Sequence, residues 1–226
     1  IRDLVIEGSN KTDPGTDPNS HRSYRGGYNR GGILFRSLKE GQMQHLNFIH
    51  ITVRNCTYSG VSISGAGDIR ITGCDFTENG VSVPPGQRLL HNLQLLHCVG
   101  VNIRDSRFDT SPDGCGIALD HCRNTVVSNC EVARNGWYGI LTTESKNISI
   151  RDNLVEGNDR SGILIEYLQN GSENITVNHN RIRYNAGYGL ESYAAKNVSI
   201  AGNRYAGNGN NPVQEKISVE KVIGME

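Results

Sequence analysis

Apolar and polar residues alternate along most of the chain in short runs separated by turns. In one unit the runs are Asn-Ile-Ser-Ile at 147–150, Leu-Val-Glu at 154–156 and Gly-Ile-Leu-Ile-Glu at 162–166. Alternation with a period of two is typical of β-strands, and no segment shows the 3.6-residue apolar spacing of a helix. The pattern predicts an all-β chain with three short strands in each unit.

The units recur at a nearly constant interval. A column of small or amide residues, each five residues after an apolar strand residue, steps by 18, 32, 24, 23, 27 and 23 residues. Its members are Cys56, Cys74, Ser106, Cys130, Asn153, Asn180 and Asn203. Units of this length that stack on their neighbours form a solenoid. We therefore expect a right-handed parallel β-helix of about seven to eight coils.

Two further columns support the same fold. An Asn follows in five units, and six units contain a Gly followed by an apolar residue: Gly60-Val61, Gly80-Val81, Gly116-Ile117, Gly139-Ile140, Gly162-Ile163 and Gly189-Leu190. Asn tolerates the left-handed backbone of tight turns, and amides stacked at about 4.8 Å can hydrogen-bond from rung to rung. Alternation predicts that Ile117, Ile140, Ile163 and Leu190 form one buried ladder.

The segments 135–166 and 174–192 are similar in sequence to a known superfamily. They resemble the pectate-lyase-like parallel β-helices, which include pectate lyases, polygalacturonases, mannuronan C5-epimerases and phage tailspikes. The resemblance covers roughly residues 46–209 and is specific for the fold. It implies a polysaccharide or oligosaccharide partner, a groove along the Gly-apolar strands, and a secreted, periplasmic or cell-surface location.

Bulk properties limit the alternatives. The formal net charge is zero, which argues against a nucleic-acid-binding arm or a polybasic membrane patch, and no apolar run is long enough to span a membrane. We expect one domain over residues 1–226. Because Ile1 begins inside a strand pattern, we expect the chain to be a mature piece or a fragment of a larger protein.

The six cysteines leave two interpretations open. Cys98 and Cys122, and likewise Cys56 and Cys74, are expected on neighbouring rungs, within the Cα separation of a disulfide. Stacked free thiols that pack as small apolar residues are the alternative. No Cys-x-x-Cys pair is present, so a zinc site is not expected.

Three segments depart from the repeat and are expected to form loop insertions. They span 9–31, 84–97 and 168–173. Insertions of a solenoid often build its binding face. The first is rich in Gly, Pro, Asp and Ser and also carries Tyr24, Tyr28, Arg25 and Arg30. It is interpreted as a lid or wall over the groove, or as a surface loop without function.

The outward positions of the Gly-apolar strands bring acids and aromatic residues to one face. Carboxylates there can do acid–base chemistry, and aromatic rings can stack on sugar faces. The catalytic candidates are Asp120, Glu166, Glu191, His121 and Asp113, and the substrate-binding candidates are Tyr138, Trp137, Tyr188, Tyr193, Arg36 and Glu144. A solvated β-face with scattered acids is the alternative.

Spacing favours a glycoside hydrolase that uses paired carboxylates. Asp120 and Glu166 are expected in one column two coils apart, about 9.6 Å between backbones, and inverting glycosidases hold their carboxyls roughly 6.5–9.5 Å apart. Glu191 is expected to raise the pKa of Glu166 by repulsion. Asp113 is a candidate because residues 111–122 faintly resemble polygalacturonase motifs, although the Gly-His-Gly and Arg-Ile-Lys motifs are missing.

Two other functions stay open. A polysaccharide lyase or C5-epimerase acting on a uronic-acid polymer is one, with His121 or Tyr138 as the base. No cofactor is expected for the hydrolase, whereas clustered carboxylates could hold calcium for a lyase. The other is a non-catalytic glycan-binding or tailspike-like module.

Overall fold

The chain winds into a parallel β-solenoid of about seven coils with three strands in each coil. The computed structural model describes residues 1–8, 31–37, 39, 41–80, 90–166, 168–209, 215–219 and 222–223, and within these residues there is no helix. The predicted all-β parallel β-helix is confirmed.

Three parallel sheets run along the solenoid. The first sheet contains β2 (Ile33–Arg36), β4 (Val61–Ser64), β7 (Leu93–Leu96), β10 (Ile117–Asp120), β13 (Ile140–Thr143), β16 (Ile163–Glu166), the first part of β19 (Leu190–Ala201) and β21 (Glu215–Val219). The second sheet contains the first part of β3 (Met43–Arg54), β5 (Ala66–Thr72), β8 (Val99–Arg104), β11 (Arg123–Ser128), β14 (Lys146–Arg151), β17 (Glu173–Asn178), the second part of β19 and β22 (Val222–Ile223). The third sheet contains the end of β3, β6 (Asp75–Thr77), β9 (Arg107–Asp109), β12 (Glu131–Ala133), β15 (Leu154–Glu156), β18 (Arg181–Arg183) and β20 (Arg204–Ala206), and β1 (Arg2–Glu7) pairs with β3 at the first end.

The core is the interior of the solenoid, filled by every second residue of each strand. In the first sheet, Ile117, Ile140, Ile163 and Leu190 stack in register and each is 0% exposed. The predicted buried ladder is therefore confirmed. Because a one-residue slip would turn this whole column outward, the same register fixes which side chains face solvent.

Two ladders of buried amides close the turns. The backbone N–H of Asn153 donates to the Oδ1 of Asn180 (3.0 Å), and the N–H of Asn135 donates to the Oδ1 of Asn158 (3.0 Å) on the following coil. Each ladder residue thus satisfies a backbone donor of the preceding coil, which a buried turn requires.

The register of the first coil differs from the prediction. Strand β3 continues without a turn, so that Leu46, rather than Ile51, pairs with Ile69. Cys56 therefore belongs to the other ladder: its N–H donates to the Oδ1 of Asn79. Cys56 and Cys74 are not neighbours in one column, and the disulfide considered between them is excluded by this register.

All six cysteines are buried free thiols in this structure. Cys98 and Cys122 do lie on neighbouring rungs, since the N–H of Arg123 donates to the carbonyl of Cys98. The Cys98 thiol donates to the carbonyl of Ile63 and the Cys122 thiol to that of Leu95 (3.5 Å each), which agrees with the interpretation of stacked thiols.

The third coil also differs from the prediction. Its first-sheet strand is β7, which pairs with β4 and β10, so Asn92 takes the position assigned to Gly80 and Leu96 takes the position assigned to Pro84. Residues 81–89 lie outside the described residues, as do residues 9–30 of the first predicted insertion. The segment 84–97 is therefore not one loop, because its last part is a strand of the coil.

Candidate functional site

The outward face of the first sheet carries two of the predicted carboxylates in one column. Asp120 pairs with Thr143 and Thr143 pairs with Glu166, so the two acids lie two rungs apart, about 9.6 Å between backbones. The hydroxyl of Thr143 donates to the Oε2 of Glu166 (3.2 Å). A threonine therefore separates the acids and orients one of them.

Asp120 is also bonded to the residue that follows it. Its Oδ1 lies 2.6 Å from the Nδ1 of His121, and both side chains are about half-exposed. The ring of His97, one coil earlier, lies 4.7 Å from that of His121 between centroids. A carboxylate that accepts the Nδ1 proton fixes the imidazole tautomer and leaves Nε2 as the basic nitrogen.

The floor beside the acids, two residues earlier on the same strands, is apolar. Ala118 and Leu164 occupy outward positions, yet they are only 5% and 2% exposed. Thr143 is 4% exposed beside them. Such a closed floor with polar groups at its edges is typical of ligand sites.

The residues that precede the first-sheet strands form a second edge, here called the entry rim and consisting of Tyr138, Ser161 and Tyr188 on successive coils. Ser161 donates to the Oε2 of Glu191 (2.7 Å) and accepts the N–H of Tyr188 (3.1 Å). The hydroxyl of Tyr193 donates to the other oxygen of Glu191. Glu191 is therefore held at the entry rim, whereas Glu166 is held by Thr143.

Tyr138 keeps its proton over a wide pH range. Burial, and then the carboxylates of Glu191 and Glu166, raise the pKa of Tyr138 to about 12, although the guanidinium of Arg160 opposes the shift. Because burial and negative charge disfavour a phenolate, the group remains a phenol at neutral pH. It can therefore donate a proton or a hydrogen bond.

Trp137 and Arg160 complete the entry rim, and sequence reasoning missed Arg160. The guanidinium carbon of Arg160 lies 4.5 Å from the centroid of the Trp137 ring, and the indole packs edge-on against Tyr138 at 5.5 Å. A cation over an aromatic face is a favourable contact. Arg160 lies in a turn, so strand alternation did not place it, and the Trp-containing turn one coil before was the available signal.

Two predicted residues lie away from this group. Arg36 is three rungs before Asp120 in the same column, about 14 Å along the axis at the usual rung spacing. Asp113 lies in the turn before β10, next to Gly114, whose carbonyl accepts the N–H of Trp137. Asp113 therefore lies in the stacked turns that form the entry rim and not in the carboxylate column.

Glu144 has a structural partner of its own. Its carboxylate accepts the backbone N–H groups of the segment 168–171, at 2.7–3.1 Å. Burial alone would raise its pKa, but these donors lower the pKa of Glu144 to about 2. Its carboxylate thus holds a loop, and a role in substrate binding stays a prediction.

Within the described residues, no group of three or more His, Cys, Asp or Glu side chains is arranged to hold a metal ion. Within the same part of the chain, no helix has the length and apolar character that a membrane crossing requires.

The sequence matches the profile of a known family over most of its length. The family described as "Right handed beta helix region" matches residues 32–205. The chain therefore belongs to the right-handed β-helix family. No curated protein matches the sequence.

Solved structures of similar shape include three epimerases. A mutant of the periplasmic alginate epimerase AlgG has 16% sequence identity and a TM-score of 0.50, and the alignment covers 79% of this chain and 46% of the AlgG chain. The A-module of the mannuronan C-5 epimerase AlgE4 from Azotobacter vinelandii has 15% identity and a TM-score of 0.35, covering 80% and 70%. The A-module of AlgE6 from the same organism has 17% identity and a TM-score of 0.34, covering 74% and 58%. This chain thus spans about half the length of AlgG, and the likeness supports the fold alone.

Proposed function

We propose that this protein acts on a uronic-acid polysaccharide by moving the proton of the carbon that carries the carboxylate, in a C5-epimerisation or an elimination. The observation that carries the proposal is the Asp120–His121 pair beside the closed floor of the first sheet. An imidazole whose Nδ1 is bonded to a carboxylate presents Nε2 as a general base.

The opposite rim supplies an acid. Tyr138 lies two residues before β13, whereas His121 directly follows β10, so Gly139 and the four residues of a first-sheet strand lie between the two rims, which is about 20 Å of backbone. A sugar ring bound over Leu141, in the middle of β13, would lie between the two rims. Because its raised pKa keeps Tyr138 protonated, its hydroxyl can return a proton while His121 removes one.

Arg160 supplies the countercharge that this chemistry needs. Removing a proton next to a carboxylate develops a second negative charge, which a nearby cation stabilises. Arg160 lies over Trp137 at the entry rim and is close enough to Tyr138 to oppose its pKa shift. Its guanidinium can therefore pair with a uronate carboxylate bound between the rims.

A hydrolase is the second candidate, and the shared column of Asp120 and Glu166 favours it. Its general acid must carry a proton at working pH, as a carboxyl in an apolar pocket does. However, the side chain of Asp120 is about half-exposed and bonded to His121, and Glu166 is bonded to Thr143, so neither carboxyl lies alone in an apolar pocket. For this reason we place proton transfer by His121 and Tyr138 first. AlgG, an alginate epimerase of similar fold, agrees with this order.

The test is incubation with polymannuronate, polygalacturonate and a neutral mannan in D₂O, read for three products. Deuterium at C5 without new chain ends indicates epimerisation, and an unsaturated uronate end indicates elimination. New reducing ends without unsaturation indicate hydrolysis. Binding without any product would leave the protein a glycan-binding module and would refute the proposal.

The variants His121→Gln and Tyr138→Phe should each lower turnover at least about a hundredfold while the fold is retained. Matched controls are His45→Gln and Tyr184→Phe. His45 also bonds an aspartate at 2.6 Å but lies on the second sheet, and Tyr184 is 63% exposed after the third sheet. Unchanged turnover in both groove variants would remove these residues from the chemistry.

A further inference from the structure

The outward face of the first sheet continues beyond the carboxylate column toward the first coil. Strands β2, β4, β7 and β10 pair in register at every rung, so each outward position forms an unbroken column. On the three coils before β10, the outward residues of these columns are Leu34, Arg36, Ser62, Ser64, Gln94 and Leu96. We call this strip the distal track, and it leads from the closed floor of the groove to the first coil.

The middle of the distal track is polar, whereas the floor of the groove is apolar. Ser62, Ser64 and Gln94 are half-buried, and the hydroxyl of Ser62 donates to the Oε1 of Gln94 (3.4 Å). Hydroxyls and amides both donate and accept hydrogen bonds, as the hydroxyls of a sugar require. On the first coil, Leu34 is 51% exposed and offers an apolar surface to the face of a sugar ring. The composition of the strip therefore suits a bound glycan chain.

Arg36 gives the distal track a positive charge at the end that is farthest from the groove. Arg36 is exposed, and no carboxylate among the described residues forms an ion pair with its guanidinium. A guanidinium binds a carboxylate through two parallel hydrogen bonds, which is a strong and specific geometry. Within the described part of the chain, Arg36 can therefore bind the carboxylate of a ligand without breaking an existing ion pair.

The opposite end of the same outward face is negative. Glu166 lies five rungs after Arg36 in one column, about 24 Å along the axis. The hydroxyl of Thr143 donates a hydrogen bond to Glu166 but does not neutralise its charge. Because like charges repel, a polyanionic chain on this face is stabilised when it extends toward Arg36 and destabilised when it extends over Glu166. The charges thus favour one direction for the chain.

We propose that the distal track binds the sugar units on one side of the reacting unit and that Arg36 pairs with the carboxylate of the last of them. The choice of a uronate rests on the proposed function, whereas the path of the chain rests on the register and the charges of the first sheet. Arg36 lies four rungs before the rung of Leu141, about 19 Å along the axis. Because a sugar unit of an extended chain is about as long as one rung, a chain of about five units spans this distance. The protein should therefore prefer chains of that length or longer.

The experiment measures the Kd of uronate trimers and hexamers, from both mannuronate and galacturonate, by titration calorimetry. The reference protein carries His121→Gln, so that turnover does not alter the ligand during the titration. In the series that binds, the hexamer should bind at least about tenfold more tightly than the trimer, which corresponds to about 1.4 kcal/mol. Adding Arg36→Gln should remove most of this gain and leave the Kd of the trimer unchanged. No gain with length, a gain that survives Arg36→Gln, or no binding in either series would overturn the proposal.

Matched controls separate a local contact from attraction by net charge. Arg204→Gln removes the same charge from an exposed outward position of the third sheet and should leave the Kd values unchanged. Arg36→Lys keeps the charge and should retain part of the gain with length. Neutral mannohexaose should bind equally with and without Arg36. Equal weakening of hexamer binding by Arg36→Gln and Arg204→Gln would refute the site.

The binding measurement is independent of the groove chemistry. If no uronate polymer is turned over but the gain with length depends on Arg36, the proposed chemistry fails and the distal subsite stands. If a uronate polymer is turned over but the Kd of the hexamer does not respond to Arg36→Gln, the chemistry stands and this inference fails.

Discussion

The amide ladder offers a stringent test of how this sequence determines its fold, because one coil builds the ladder differently. In five coils the ladder residue is Asn and the residue before the strand is Gly; a Cβ on Gly139, for example, would lie 2.8 Å from the Nδ2 of Asn158. In the third coil the two residues are exchanged: Asn92 precedes the strand and Ser111 stands in the ladder. The side chain of Asn92 fills the gap, since it accepts from Asn79 and donates to Asn135 (3.0 Å each).

The substitution Asn92→Gly should therefore destabilise the solenoid. It removes the acceptor for the buried N–H of Asn79 (3.3 Å) and for one of the two side-chain N–H groups of that residue (3.0 Å). Each unsatisfied buried donor costs about 1–3 kcal/mol, so the loss is about 2–6 kcal/mol. Asn135 is affected less because its Oδ1 still accepts the N–H of Ser111.

The double variant Asn92→Gly with Ser111→Asn should recover a large part of that loss. It restores the Gly and Asn arrangement of the following coils, in which the ladder amide comes from the position after the third-sheet strand. Ser111→Asn alone should destabilise, because two amides would then compete for one place. Thermal and urea unfolding, followed by circular dichroism on all four proteins, measures the coupling between the two positions.

Independent effects of the two substitutions would refute this reasoning. If the double variant is as unstable as the sum of the single variants, the amide of Asn92 does not replace a ladder residue. If Asn92→Gly unfolds like the parent protein, the hydrogen bonds of this rung contribute nothing measurable.

Three further predictions concern the core, the loop and the cysteines. Ile163→Asp should lower the free energy of unfolding by several kcal/mol or prevent folding, because it buries an unpaired charge. The outward control Leu154→Asp should have a melting temperature close to that of the parent. Similar melting temperatures of the two variants would mean that the register is wrong. Glu144→Gln should speed hydrogen exchange in the segment 168–171 at neutral pH. Because the pKa of Glu144 is lowered, the stabilisation of this segment by its carboxylate is present above pH 4.5 and fades toward pH 2. A difference between variant and parent that persists unchanged at pH 2 would show that the charge of Glu144 does not hold the loop. Thiol titration should count six thiols, all reactive only after unfolding, since all six are buried; fewer than six in the denatured protein would reveal a disulfide.

Much of the fold follows from the sequence because the alternation of strand residues is local. The fifth coil illustrates this: its runs at 147–150 and 154–156 lie within β14 and β15, and its run at 162–166 consists of β16 and the glycine before it. The carboxylate column was found for the same reason. Once Ile117, Ile140 and Ile163 face inward, Asp120 and Glu166 must face outward on the same side.

The alignment of the repeat from the sequence was wrong in the first and third coils. A local pattern does not show that a residue at one position can take over the role of a residue at a distant position. Gly80 is followed by Val81 and thus imitates the Gly-apolar signal, whereas Asn92 lacks a glycine although it occupies the true position. The physical requirement is space for one amide at that rung. Either residue can supply the amide, and only the three-dimensional register shows which one does.

Trp137, Tyr138 and Tyr188 of the entry rim were predicted, but its cation Arg160 was not, for a different reason. Their side chains leave from turns, where the backbone direction changes at each residue and alternation gives no information. Arg160 lies over Trp137 because the two turns stack, with the N–H of Arg160 donating to the carbonyl of Trp137. Acidic side chains on strands therefore suggested a hydrolase, whereas the cation and the phenol contributed by the turns favour proton transfer next to a carboxylate.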